Sequence, residues 1–259
     1  MIVEKVYDAD IFSRDGIRNG DYYSERNTSR EFMSDAEREE FEHNLTIEEK
    51  RKVLQEKGFL DKSVVYRINS NGFRGNELLE NDFESVVTFG CSFCFGSGLF
   101  EEDTLAGQIE RKLNRRAYNL SGLGRGMDAV VRWSAGWLSY IKPKYVVLLQ
   151  PFPARREFFF TDNFQRITST HSINSFEGDP DFGLKLAVLA LDDVEVSLNT
   201  VKNMMIFKQL CADNGSKLII IPNPSYWNHD ATARDLVHPG AKYIEKMIDK
   251  YVIPNTQPL

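Results

Sequence analysis

Residues 86–99 read VVTFGCSFCFGSGL. Val86–Gly90 has the length and the β-branched and aromatic make-up of a buried strand, and it stops at a glycine. Ser92 follows two residues later, in a loop bracketed by Gly90, Gly96 and Gly98. In an open parallel sheet the carboxyl ends of the strands line the crevice where ligands bind, and N–H groups of the next loop can face developing negative charge. That placement suits a nucleophile, although a serine in a small-residue turn can also do no more than cap the next helix.

The neighbouring segments supply the sheet. Short β-rich runs recur at VVYRI (64–68), AYNLS (117–121), YVVLLQ (145–150) and KLIIIP (217–222). Between them Leu105, Ile109 and Leu113 fall at helical spacing, as do Val130, Trp133 and Trp137, and Ile244, Met247, Ile248 and Tyr251 stripe a last helix. Strands alternating with helices predict an α/β domain with a parallel sheet and right-handed crossovers, over 63–259. Residues 1–62 are polar and acidic and read as an N-terminal helical appendage. Within it Ser34–Gly58 forms one or two solvated helices, Thr46 starts a capping box, and Asp35–Glu49 is a solvated face. Residues 151–187 are too long and polar for an ordinary crossover and read as an insertion over the sheet's carboxyl edge. Its aromatics Phe152, Phe158, Phe159, Phe160 and Phe164 either pack it onto the sheet or line an acyl pocket.

Composition narrows the classes. The 259 residues carry 32 Lys and Arg against 38 Asp and Glu, a net charge of −6 that gives no overall reason for nucleic-acid binding. No apolar run approaches the roughly 20 residues that span a bilayer, and MIVEKVYDAD lacks the order of a signal peptide, so no membrane association and a cytoplasmic location are expected. Cys91, Cys94 and Cys211 form neither an even disulfide framework nor a zinc-type double pair.

Two further segments bear chemistry. Asp235 and His238 stand three apart in DLVH before Pro239-Gly240 and the last helix, where the carboxylate can take a hydrogen bond from Nδ1 and leave Nε2 to accept a serine proton. An Asp–His pair capping a helix is the bland alternative. NLSGLGRGMD holds Asn119 in a short strand and Gly122, Gly124 and Gly126 before a helix. It lacks the GxGxxG register of a dinucleotide site, so no cofactor is expected. Glycine lets the backbone approach a ligand closely, so the Gly124 amide can join that of Ser92 as an oxyanion hole. A competing metal site could use His229, Asp230, Asp235 and His238.

Together the three blocks resemble the SGNH (GDSL-like) hydrolase superfamily, over roughly residues 64–252. FGCSF puts Ser92 in the nucleophile place, with Cys91 where the family has aspartate. Asn119 and Gly124 fit the second block, and Asp235 with His238 the Asp-x-x-His block. The likeness implies a three-layer α/β/α sandwich with a flavodoxin-like parallel sheet. It also implies a metal-independent serine esterase or deacylase acting on a small acyl ester, with O-acylated carbohydrates among the candidates. An O-acyltransferase with the same triad and a noncatalytic interaction module are the rival readings. The family's Gly-x-Asn-Asp block, which brings an oxyanion donor, is missing after YVVLLQ, where this chain has PFPARREFF. Gln150, Arg155 and Arg156 are the available substitutes, as oxyanion donors or as substrate-binding groups.

Overall fold

The computed structural model describes residues 26–153, 155–157, 193–222 and 233–256. In chain order the elements are β1 (Thr28–Arg30), α1 (Asp35–Leu45), α2 (Glu48–Glu56), β2 (Tyr66–Ile68), β3 (Val86–Gly90), the one-turn α3 (Ser92–Phe95), α4 (Leu105–Leu113), β4 (Ala117–Ser121) and α5 (Met127–Ile141). Then come β5 (Tyr145–Leu149), α6 (Asp193–Asp213), β6 (Lys217–Ile221) and α7 (Ala241–Met247), which runs on through a π-helical turn at Ile248–Val252.

Four strands form a parallel sheet in the order β4-β3-β5-β6, with Thr88 opposite Asn119 on one side and Val147 on the other. Counted by entry into the sheet the order is 2-1-3-4, the flavodoxin-like arrangement, whose switch point opens a crevice at the carboxyl ends of the first and third strands. Here those are β3 and β5, so the Ser92 loop and the segment after Gln150 both start at the crevice. Alternate strand residues serve opposite faces. Val86, Val147, Leu149, Ile219 and Ile221 pack with residues of α4 and α7, while Val87, Phe89, Tyr118, Leu120, Val146 and Leu148 pack with Trp133 and Trp137 of α5 and Phe207 of α6. Helices on both faces explain why β3, β4 and β5 are apolar or small along nearly their whole length.

Several expectations need correction. VVYRI does not join the parallel sheet. Its Tyr66–Ile68 part pairs antiparallel with β1, Ser29 opposite Arg67, and buries only Tyr66 and Ile68, the alternation of a half-covered ribbon. Thr46 starts no helix, because its hydroxyl donates to the carbonyl of His43 at 2.7 Å at the end of α1, and α2 begins at Glu48 behind Ile47, an N-cap with no side-chain hydrogen bond. The capping box lies at Ser34: its Oγ accepts the Glu37 N–H at 3.1 Å while the Glu37 carboxylate accepts the Met33 N–H at 2.7 Å. Glu37 is therefore not part of a solvated face. Helix α6 carries no clear stripe, since exposed Val194, Leu198, Val201 and Met205 share it with buried Phe207 and Cys211, which is why periodicity does not single it out. Of the expected insertion, Arg156 and Glu157 dock on α5 through Asp128 at 3.3 Å and Arg132 at 2.8 Å, whereas 158–192, with Phe158, Phe159, Phe160 and Phe164, lies outside the described residues.

Gly90 is where the sheet meets the Ser92 loop. A Cβ there would stand 2.6 Å from Cys94 Cβ and 2.7 Å from the Leu149 carbonyl oxygen, so the strand, the next strand and α3 close on a space that only glycine fits. Gly90→Ala is expected to destabilise the fold by about 1–3 kcal/mol, as overpacked cores do. Urea titration reads this as a lower midpoint with the slope unchanged.

Candidate active site

Ser92 is the first residue of α3, behind Cys91 in extended conformation, and is 5% exposed. Helix α3 ends after one turn at Gly96, whose φ of +82° is left-handed, and a Cβ there would come within 2.5 Å of Thr104 Cγ2. A single turn has too few internal hydrogen bonds to persist alone. Its last carbonyls are gathered from outside. Arg74 Nη1 donates to the carbonyls of Phe95 at 3.2 Å and Gly96 at 2.6 Å, and Nη2 to that of Leu99 at 2.8 Å. Asn119 Nδ2 adds bonds to Cys94 and Phe95 at 3.4 and 3.3 Å, and its Oδ1 accepts from the Ser121 hydroxyl. Arg74 is 1% exposed and stacks 4.5 Å from the Tyr66 ring centre. Burial lowers its pKa, against the opposing pull of Tyr66, Glu101 and Glu37.

The Asp235–His238 turn is built by its own backbone. Ala233 N–H donates to His238 O at 2.7 Å and Leu236 N–H to Ala233 O at 2.9 Å. Leu236 takes φ +56°, a left-handed conformation that costs a non-glycine residue roughly 1–2 kcal/mol. Its side chain packs against the cluster of Leu54, Tyr66 and Phe95. Asp235 Oδ1 accepts the N–H groups of Val237 and His238 at 3.0 and 2.9 Å, and Oδ2 lies 2.5 Å from His238 Nδ1. With Nδ1 donating to the carboxylate, His238 Nε2 accepts the Ser92 hydroxyl at 2.9 Å. Burial pushes the Asp235 pKa up, but the hydrogen bond and charge of His238 together with the two backbone donors outweigh it, and the net value lies below the ordinary 3.8.

Aromatic rings wall the imidazole. Phe93 meets His238 edge-on with ring centres 5.5 Å apart, and Phe152 meets Phe93 in the same way at 5.5 Å. Arg155 lies 4.8 Å above the Phe152 ring centre, with Nη1 buried and without a hydrogen-bond partner among the described residues. Its carbonyl oxygen touches the glycine loop so closely that a Cβ on Gly126 would be 2.1 Å away. Gly124, in that loop, has φ +68°. Arg156 is engaged elsewhere, by Asp128 at 3.3 Å and Glu195 at 2.8 Å. Gln150 follows β5 and donates its N–H to Ile221 O at 2.9 Å. Cys91 is buried, and its carbonyl accepts the Phe95 N–H. Burial pushes the Cys94 thiol up to about 12.

The residues named in sequence thus meet as Ser92, His238 and Asp235, with Arg155 beside the glycine loop. Missed were Arg74 and Phe93. Arg74 had one signal, a lone cation within the small-residue run NSNGFRGNE; Phe93 had none, since an aromatic after the nucleophile reads equally well as core. Of the competing metal set, His229 and Asp230 lie outside the described residues, and Asp235 and His238 bond one another. Among the described residues no cluster of three or more His, Cys, Asp or Glu could hold a metal ion, and no helix is long and apolar enough to cross a membrane.

The sequence matches no protein-family model and no curated protein. Solved structures to which the chain is similar include a candidate GDSL-like lipase from Bacteroides ovatus, at 16% identity over 66% of this chain with a TM-score of 0.32. This chain spans about half of that one, 52% of its length. Another is the esterase EstA from Pseudoalteromonas, at 14% identity over 64% of this chain and 93% of that one with a TM-score of 0.32. A family 3 carbohydrate esterase from Clostridium thermocellum overlaps at 11% identity over 67% of this chain and 96% of that one, with a TM-score of 0.35.

A carboxylate held below its ordinary pKa in the fold adds stability above that ordinary value and loses it as pH falls through the folded value. Asp235→Asn is therefore expected to cost about 1.5–3 kcal/mol near neutral pH, the scale of hydrogen bonds to a charged group. The difference from wild type shrinks once the pH falls below 3.8. Paired urea titrations across that range measure it.

Proposed function

We propose that this chain is a serine esterase or deacylase working through Ser92, His238 and Asp235. The observation that carries the reading is one imidazole bonded at both nitrogens, to the Ser92 hydroxyl at 2.9 Å and to the Asp235 carboxylate at 2.5 Å, at the carboxyl end of a parallel strand. A serine hydroxyl is a weak nucleophile near neutral pH until a neighbouring base takes its proton. In the first step Oγ bonds to the ester carbonyl carbon while its proton passes to Nε2. Asp235 stabilises the imidazolium so formed. The carbonyl oxygen becomes an oxyanion, for which the N–H groups of Ser92 and Gly124 are the candidate donors. Collapse breaks the bond to the alcohol oxygen, which takes the proton from Nε2. Water then repeats the sequence on the acyl-serine and frees the acid.

The substrate class is proposed from the walls. Phe93 and Phe152 offer an apolar edge to a small acyl group, beside a cation whose Nη1 has no partner among the described residues. Arg155 is accordingly the group proposed to receive an anionic or hydroxyl-rich part of the ester, such as an acylated sugar acid, because guanidinium matches a carboxylate bidentately. Arg156 is not proposed for this, since Asp128 and Glu195 already hold it. Gln150 remains a candidate amide donor in place of the missing asparagine. The three cysteines are free and buried, which fits the proposed cytoplasmic location.

A fluorophosphonate probe tests the chemistry. Wild type is expected to be labelled at Ser92, and Ser92→Ala to lose labelling and at least about 10⁴-fold in turnover of p-nitrophenyl acetate while keeping its folding midpoint. A folded wild type that neither reacts nor turns over would leave the fold as an interaction module. For Arg155→Ala the expected result is a KM raised about tenfold or more on anionic esters, with kcat and neutral esters little changed. An equal fall in kcat on both ester types would instead make Arg155 an oxyanion donor.

A further inference from the structure

Glu37 stands on α1 and touches none of the reacting groups, yet its carboxylate is joined to both loops that carry them. Oε1 accepts the Tyr66 hydroxyl at 2.7 Å and Arg234 Nη2 at 2.9 Å, while Oε2 accepts the Met33 N–H at 2.7 Å. The Tyr66 oxygen in turn accepts the N–H of Gly98, in the loop that leaves α3, at 2.7 Å. Arg234 immediately precedes Asp235, and its own N–H donates to Gly98 O at 3.0 Å. Gly98 is pressed so tightly between these partners that a Cβ would fall 2.9 Å from Arg234 N and 3.2 Å from Asp235 N. The Arg234 guanidinium is 2% exposed, lies 4.2 Å from the Phe32 ring centre, and donates to Glu31 O at 2.8 Å. One carboxylate from the N-terminal segment thus draws together the exit of the nucleophile helix and the entrance of the Asp-x-x-His turn.

We propose that Glu37 is a positioning residue: through Tyr66 and Arg234 it sets the spacing between Ser92 and His238, and the N-terminal segment is a working part of the site. The proposal rests on the serine-esterase reading above. Its physical basis is that reacting groups lose rate steeply when displaced by an ångström, on the order of 100-fold. Loops alone do not hold that tolerance. A largely covered carboxylate with an arginine, a hydroxyl and a backbone donor does, because charge-assisted bonds shielded from most water are strong and directional.

The test compares Glu37→Ala, Glu37→Gln, Tyr66→Phe and the Glu37→Ala/Tyr66→Phe double variant, with kcat referred to serine sites titrated by the fluorophosphonate. Glu37→Ala is expected to lower kcat about 10- to 100-fold with KM within about twofold. Glu37→Gln, which keeps an acceptor oxygen, recovers most of the loss. The double variant falls no more than about threefold below the weaker single one, because both act through Gly98. Wild-type kcat in folded Glu37→Ala, or a matching rise in KM, overturns the proposal. Should that variant fail to fold, Tyr66→Phe decides: it removes one hydroxyl from a ring whose packing remains, and an unchanged kcat overturns the proposal as well. If wild type itself neither turns over nor labels, the esterase reading has failed. The low-field proton resonance of His238 Nδ1 then decides the positioning claim, which stands if that signal moves or broadens in Tyr66→Phe and falls if it does not.

Discussion

A helix of one turn cannot hold itself, and Ser92, the proposed nucleophile, sits on one. The free energy of fixing its backbone angles exceeds what its own two or three hydrogen bonds return, so the position of Ser92 is borrowed from what surrounds α3. Arg74 and Asn119 bond its terminal carbonyls, Gly96 provides the left-handed exit, and Gly90 lets the strand close against Cys94 and Leu149. Arg74 is costly to bury, since a guanidinium loses its hydration. It is tolerated because four carbonyl oxygens and the Tyr66 face replace that water. Replacing it with an apolar side chain of similar size would leave those carbonyls orphaned, so the expense is tied to the helix rather than to the core.

The same dependence extends to the other loops. Phe95 from α3, Leu123 from the glycine loop and Leu236 from the Asp-x-x-His turn all pack into one cluster with Leu54 and Tyr66, outside the two layers that flank the sheet. That third cluster explains how Leu236 is kept at φ +56°: a strained residue persists where its surroundings over-determine it. The strain places the Asp235 carboxylate under two backbone N–H groups and directs His238 back toward Ser92, 146 residues away in sequence.

How far this was legible in the sequence depends on the distance over which each feature is decided. Val86–Gly90, Tyr145–Leu149 and the stripe of Ile244, Met247 and Ile248 are set by local pattern and burial, and they lie where the pattern put them. Ser92, Asp235 and His238 could be named not from their types, since serine and aspartate are common in such turns, but because they follow strands of one parallel sheet in that order. The capping box was misplaced because Ser34-x-x-Glu37 and Thr46-x-x-Glu49 are equivalent as strings, and only the approach of Met33 and His43 separates them. The two-stranded ribbon was missed for a similar reason: three residues, Thr28–Arg30, carry no periodicity of their own. Glu37 was hidden among seven other acids of α1 and α2 whose exposure is real, and no local property distinguishes the one that faces Tyr66.

Among the described residues the most deeply buried charges, Arg74, Arg234 and Asp235, gather around the site loops, whereas beside the sheet covered charge is held in pairs such as Arg132–Glu157 at α5. Arg74 and Arg234, with part-buried Glu37 between Tyr66 and Arg234, surround the site loops, while the two flanking clusters are built of apolar side chains and cysteines. Apolar packing stabilises without specifying direction, because dispersion changes little when a ring slides. Charged hydrogen bonds contribute less net stability after desolvation, and a buried ion pair can be worth no more than a hydrophobic replacement. What they add is angular definition. The proposed chemistry needs an imidazole aligned on both a hydroxyl and a carboxylate and has a use for that definition, while the sheet beneath it needs only to be rigid. The distribution of buried charge in this chain therefore follows the demands of alignment rather than those of stability, and it marks the N-terminal segment as belonging with the loops it holds.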